Sequence, residues 1–183
     1  MKIQKTFEVK APIEKVWAFI TDPGKVAQCL PGCEDVQEIG PDTYKAVVKV
    51  RVGPIKTSFN TRIVCLEQRA PEFASYETSG EEGGKASRLK AKSTLALVAV
   101  SESKTSVTYE SDINLVGRLG KFGSGMMQKV ADSIGEEFVA ELSRIVEGRT
   151  TVPSRKMSES TKQVIWIIVV GVILLAALAF AIF

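Results

Sequence analysis

Val164 to Phe183 is a run of 20 residues without one charge, VIWIIVVGVILLAALAFAIF, and it limits what the chain can fold into more than any other segment. A helix buried in a soluble core usually keeps a polar stripe, and this segment has none. At 1.5 Å rise per residue it makes a helix of ~30 Å, the hydrocarbon thickness of a bilayer. The run therefore predicts one transmembrane helix over 164–183, ending the chain as a tail anchor. The opening residues MKIQKTFEVKAPIEKVW contain no apolar stretch of signal-peptide length. The expected location is the cytoplasmic membrane, single-pass, with residues 1–147 as a domain facing the cytoplasm.

Charge agrees with that orientation. Residues 1–147 carry 20 Lys/Arg against 20 Asp/Glu, a net of zero. Residues 148–163, rich in Ser, Thr and charge, read as a basic linker in which Arg149, Arg155, Lys156 and Lys162 face only Glu159. The whole excess of +3 thus lies beside the apolar run, as the positive-inside rule requires of a cytoplasmic flank, where it also attracts anionic headgroups. A neutral domain argues against nucleic acid as a partner. Three cysteines supply no extracellular disulfide framework.

Within residues 1–147 the hydrophobic period changes twice. Ile3, Phe7 and Val9 share one face of an expected first strand. A helix follows through IEKVWAFI with Pro12 near its first turn; Val16, Phe19 and Ile20 form its apolar stripe and Trp17 falls at the margin. Asp22-Pro23-Gly24 ends it, and a short helix is expected over Lys25 to Cys29. Turns are read at Pro31-Gly32 and Gly53-Pro54. Alternation then predicts strands over 44–52, 55–65, 73–79, 86–100 and 107–115, each with one apolar and one polar face. Such strands build an antiparallel sheet covered on one side only. Leu119, Phe122, Met126, Val130, Ile134, Phe138, Leu142 and Ile145 recur at intervals of three and four, which predicts a long amphipathic helix over 119–146 as the cover. The expected order is β-α-β-β-β-β-β-β-α, an α+β fold.

Few residues suggest chemistry. The chain has no histidine, which removes Ser-His-Asp and Cys-His catalysis and the commonest metal ligand. Glu81-Glu82 and Glu136-Glu137 read as solvated charge on a loop and on a helix's polar face. Cys29 and Cys33 lie too far apart for a Cys-x-x-Cys pair; packing is the expected role of Cys29, and Cys65 alternates with the apolar face of its strand. Gly117 to Gly125, G-R-L-G-K-F-G-S-G, lacks the Gly-Lys-Ser/Thr ending of a phosphate loop; its small residues fit either a close approach of helix to sheet or a portal. Lys45, Lys49 and Arg51 share one strand face and Arg88, Lys90 and Lys92 another, so one sheet holding both strands has a basic outer face. That face is either plain solvated charge or a dock for an acidic partner or membrane surface. Catalytic residues and metal ligands are both expected to be absent.

Five stretches carry a family resemblance: F-E-V-K-A-P-I-E-K-V-W at Phe7–Trp17, D-P at Asp22-Pro23, C-L-P-G-C-E at Cys29–Glu34, V-K-V-R-V-G-P-I at Val48–Ile55 and G-R-L-G-K-F-G-S-G-M at Gly117–Met126. In this order they resemble the CoxG family of carbon monoxide dehydrogenase subunits, a branch of the START-like helix-grip superfamily. The resemblance implies a seven-stranded antiparallel sheet wrapped around a long C-terminal helix, with an apolar cavity between them. It also implies a non-enzymatic adaptor that recruits a molybdenum hydroxylase of the CO dehydrogenase type to the membrane. The implied ligand is a respiratory quinone, menaquinone or ubiquinone. A recruiter without a carrier role, and a generic lipid-binding START-like protein, are the alternatives. Given such a cavity, periodicity points Phe59, Leu97, Tyr109, Ile113, Phe122, Met126, Met127 and Val130 into it.

Overall fold

The computed structural model describes residues 1–30, 32–52 and 55–148. The expected transmembrane helix over 164–183 lies outside them, as does the expected linker after Gly148. Among the described residues no helix is long and apolar enough to cross a membrane.

Seven strands form one antiparallel sheet: β1 (Lys2–Val9), β2 (Cys33–Gly40), β3 (Thr43–Val52), β4 (Ile55–Arg69), β5 (Phe73–Glu82), β6 (Ser87–Ser101) and β7 (Lys104–Gly117). Their spatial order is β1-β7-β6-β5-β4-β3-β2. Each strand from β2 to β7 pairs with its sequence neighbour, and β1 closes the far edge against β7. Helices α1 (Ile13–Ile20) and α2 (Pro23–Cys29) lie between β1 and β2, and α3 (Ser124–Val146) follows β7. The α+β helix-grip architecture is the one expected.

Period-two burial is clearest in β6, where Ser87, Leu89, Ala91, Ser93, Leu95 and Leu97 are buried and Arg88, Lys90 and Lys92 exposed. A residue and its neighbour point to opposite faces, so one covered face buries every second side chain. The strand that periodicity left unplaced is β2. It is an edge strand whose residues are mostly exposed, so burial imposes no alternation on CEDVQEIG.

Local chemistry explains the helices. The Asp22 carboxylate accepts from the backbone N–H of Gly24 at 2.9 Å and of Lys25 at 3.1 Å. With Pro23 in the first turn this caps α2. The residues read as ending one helix therefore start the next, two positions before the expected boundary. Trp17 is not marginal. It is buried with Val16, Val9, Ala11 and Val107, because α1 lies over the end of the sheet, where β6 and β7 approach it. The helix expected over 119–146 is broken: Leu119–Phe122 is one 3-10 turn, and Gly123 has φ +78° before α3 begins.

Two buried clusters cover the inner face. One joins Ile3, Ala46, Val48, Phe59, Leu89, Ile113, Leu115, Leu119 and Ile134. The other joins Val9, Val16, Trp17, Ala74, Leu95, Leu97, Val107, Leu142 and Val146. Different stretches of α3 serve the two clusters, and the rows of the sheet between them carry mostly small or hydroxylated side chains.

Candidate functional site

Those middle rows follow from strand register. Across the inner face one row runs Cys65–Tyr76–Ser93–Ser111–Ile3, and the next Ala74–Leu95–Tyr109–Lys5. Thr61, Thr78, Ser93 and Ser111 are buried where parity calls for apolar side chains. Close-packed interiors need volume at every position. Small side chains on the sheet, opposite Gly135 on α3, leave some of that volume empty.

The result is a cavity of about 240 Å³. Its floor is sheet: Ala46, Val48, Thr61, Ile63, Tyr76, Thr78, Ser93, Leu95 and Tyr109. Its roof is Gly135, Phe138 and Val139 from α3, with Ile20, Val26, Ala27 and Leu30 from the α1–α2 segment. Asp42, Gln68 and Lys5 add polar groups to the lining. Lys5 pairs with Tyr109 across β1 and β7, and its ammonium reaches the Asp132 carbonyl oxygen at 3.5 Å. It passes over Gly135, where a Cβ atom would stand 3.0 Å from the Lys5 side chain.

Hydroxyls supply most of the cavity's polarity. Ser93 Oγ lies 3.0 Å from Tyr109 Oη and 2.8 Å from Ser111 Oγ. Thr61 donates to the Ala46 carbonyl at 2.9 Å and is thereby satisfied. Burial pushes the Tyr76 phenol up to about 12 and raises that of Tyr109 as well, so both are neutral donors at physiological pH. Cys33 and Cys65 line the cavity, and burial raises both thiols. Cys29 is buried among apolar side chains, with its thiol pushed up to about 11 by that burial. These are poor nucleophiles. Among the described residues no group of three or more acidic, cysteine or histidine side chains could hold a metal ion.

Of the eight residues predicted for the cavity, Tyr109 lines it. Phe59 and Ile113 are fully buried in the first cluster, Phe122 and Met126 pack against that cluster, and Leu97 is buried in the second. They point inward as periodicity required, but inward side chains of that size fill the core on either side of the void. The side chains of Met127 and Val130 lie outside the described part of the structure. The cavity sits beside the middle of α3, from Gly135 onward, and not at the helix start. Ser93, Thr78 and Thr61 were missed. Their signal was legible: a hydroxyl at an inward position of an alternating strand.

Glu82 also corrects its sequence reading. It is no loop residue but the end of β5, with a fully buried side chain. Burial alone raises its pKa; hydrogen bonds from Ser87, Arg118 and Thr57 outweigh that and hold it below the usual carboxylate range. Arg118 pairs with it, and the Leu119 N–H donates to Ser87 Oγ at 3.1 Å. This knot fixes the β7-to-α3 connection. Gly117 within it has φ +102°, so the glycine-rich stretch serves a close approach at that position.

The outer face is less basic than strand patterning implied. Arg88 pairs with Glu81 at 3.0 Å, Lys49 pairs with Glu34, and Lys92 lies between Glu77 and Asp112 in register. Lys45, Arg62 and Lys90 remain as one exposed row, with Ser79 between the last two.

Comparisons with known proteins agree with this architecture. Residues 6–147 match the model of the CoxG family of carbon monoxide dehydrogenase subunits. Among solved structures, a conserved protein from Geobacillus kaustophilus superposes with TM-score 0.75 at 22% identity, covering 81% of this chain and 96% of that one. A START superfamily protein from Mycobacterium smegmatis gives TM-score 0.61 at 16% identity, over 81% and 99%. An aromatase/cyclase from a Streptomyces species gives 0.57 at 15%, over 85% and 99%. At these identities the likeness is one of fold. No curated protein sequence matches significantly.

Proposed function

The chain belongs to the CoxG family of carbon monoxide dehydrogenase subunits, and from that premise we propose that it is a non-enzymatic adaptor anchored in the cytoplasmic membrane. It binds the head of an apolar ligand, a respiratory quinone, and recruits a molybdenum hydroxylase of the CO dehydrogenase type to the membrane surface. The observation that carries the ligand half is the cavity: an apolar wall, a hydroxyl floor and about 240 Å³ of room.

That volume sets the register. Pockets that enclose whole drug-sized ligands run ~300–1,000 Å³. This one accepts a ring system or a short chain segment, and a polyprenyl tail stays outside. Burying apolar surface gains about 25 cal/mol per Å², but lipid offers the same surface a comparable home. Net transfer from membrane to cavity is therefore near zero, which suits a carrier that must load and release. The expected 16-residue linker spans at most ~50 Å when extended, keeping the domain at high effective concentration beside the bilayer. A recruiter with an unused cavity is the competing reading, and the exposed row of Lys45, Arg62 and Lys90 favours it as a dock for an acidic surface.

Mass spectrometry of lipids co-purifying with the full chain tests the proposal. Quinone should accompany the parent. Val26→Trp with Val139→Trp places bulk on two half-buried wall positions and should remove the quinone while cooperative unfolding persists. A filled variant that carries as much quinone as the parent refutes the cavity assignment. A parent that never carries quinone leaves recruitment alone.

A further inference from the structure

Three features of the molecule fall at one end of the sheet. Strand direction defines that end. The β2–β3, β4–β5 and β6–β7 turns share it, because β2 to β7 form an antiparallel meander, and β1 finishes there with Val9 opposite Thr105. The β5–β6 turn and the starts of β1 and β2 mark the opposite end.

The first feature is the opening of the cavity. Among the described residues that line it, Asp42 and Gln68 are exposed and the others are buried or half-buried. Asp42 stands in the β2–β3 turn, where its carbonyl accepts from the Cys65 N–H at 2.8 Å, and Gln68 lies near the end of β4. The void therefore reaches solvent beside these two. The second feature is apolar surface. Ile39, Leu66, Val98 and Val100 are each more than half exposed and lie toward these turns, and of the exposed large hydrophobics among the described residues Val116 alone lies at the other end. The third is the exit of the chain. Leu142 and Val146 of α3 pack with Val9, Leu97 and Val107, and the Lys10 N–H donates to the Glu147 carboxylate at 3.0 Å. Gly148 thus leaves α3 at this same end, and residues 149–183, which hold the expected basic linker and the apolar run, continue from it.

Single exposed aliphatic side chains need no explanation, but four at the end where a cavity opens do. Charge bears on what covers them. Glu38, Asp42, Glu72 and Glu102 are exposed at this end, while Arg69 and Lys104 are paired with Glu67 and Glu8. Such an end is not drawn to anionic headgroups; the linker's Arg149, Arg155, Lys156 and Lys162 are. The linker holds the exit near the bilayer, and a tether that begins at the contact surface keeps it at high effective concentration. Weak apolar contact then suffices.

We propose that this end of the domain, through Ile39, Leu66, Val98 and Val100, is a bilayer-contact surface that sets the opening of the cavity against the membrane interface. This rests on the anchored reading given above and deepens it. An apolar ligand then passes between lipid and cavity without crossing water.

Hydrogen exchange of the full chain in vesicles reads the contact. One set of vesicles is phosphatidylcholine alone and the other adds phosphatidylglycerol, and flotation first establishes that the chain is membrane-bound. In phosphatidylcholine the amides of the 40–43 and 101–104 turns should exchange about fivefold more slowly in the parent than in Leu66→Asp with Val98→Asp, as for an end docked about four-fifths of the time. The 83–86 turn at the opposite end should exchange alike in both, which certifies the fold of the variant. Val116→Asp, an equal change at that opposite end, should keep the full protection; if it loses it too, the effect lies in the fold and the docking is overturned. Added phosphatidylglycerol should not increase the protection. Equal exchange of the two turns in parent and double variant, both afloat, overturns the docking and leaves the anchor standing. Protection confined to the phosphatidylglycerol vesicles overturns the apolar contact, because charge then holds the end. A parent that does not float loses the anchor and the docking together.

Discussion

Alanine at Gly117 puts a methyl group into backbone that cannot move aside cheaply. A Cβ built there would stand 2.2 Å from the Ala86 carbonyl oxygen, 2.8 Å from Ser87 Cα and 3.0 Å from the Ala86 carbonyl carbon. Two of these atoms belong to Ala86, just before β6, and one to Ser87 at its start; they are held by the Ser87–Gly117 register and by the Arg118 N–H donating to that carbonyl at 2.9 Å. The φ of +102° adds strain that an L side chain does not escape, about 1–2 kcal/mol. Relief of the clash must move the strand end, breaking the Arg118 bond for about 1 kcal/mol. The same movement leaves the buried Leu119 N–H short of Ser87 Oγ, for a further 1–2 kcal/mol or so. Gly117→Ala should thus lose about 3–5 kcal/mol in urea unfolding followed by circular dichroism. Gly84→Ala is the control, because Gly84 has φ +95° but nothing within 4 Å of the new Cβ. It should lose only the strain. If Gly117→Ala costs no more than Gly84→Ala, the close approach is not what requires glycine.

Glu82 predicts a pH dependence. Its folded-state pKa is lowered, so its contribution is fully present above the unfolded carboxylate range and is lost as pH falls through the folded value. Glu82→Gln should be less stable than the parent by about 2 kcal/mol at pH 7, the difference closing as the pH is lowered toward 3; a gap that stays constant refutes the assignment. Gly135→Ala should behave oppositely to Gly117→Ala. The new methyl meets only the flexible end of Lys5 while gaining about 0.5–1 kcal/mol of helix propensity, so the urea midpoint should hold or rise, and a clear fall would mean that Lys5 cannot yield.

Periodicity alone placed six of the seven strands and the long amphipathic cover, because the alternation of Leu89, Ala91 or Ile113 with polar neighbours is local and one covered face enforces it. The third helix could be read from spacing for the same reason, though its break at Gly123 could not: the left-handed φ there shows only in the connection to β7. Charge on Glu82 read as solvated because nothing in EEGGK names Arg118 and Ser87, which lie on other elements. An edge strand such as β2 leaves no period, since neither face of it is consistently covered.

The cavity belongs to the tertiary structure. Its walls come from Ser93 on β6, Tyr109 on β7, Ala46 on β3, Gly135 on α3 and Val26 on α2, and no short stretch of sequence contains two of these elements' contributions. The sequence determined which side chains face inward, because each strand's two faces are fixed by its own alternation. Whether an inward side chain fills the core or borders a void depends on volumes summed across strands and helices that meet only when folded. Phe59 and Ile113 sit where large residues coincide and are packed solid. Ser93 and Tyr109 sit where small residues on the sheet coincide with a glycine on the helix, and there the protein keeps an opening.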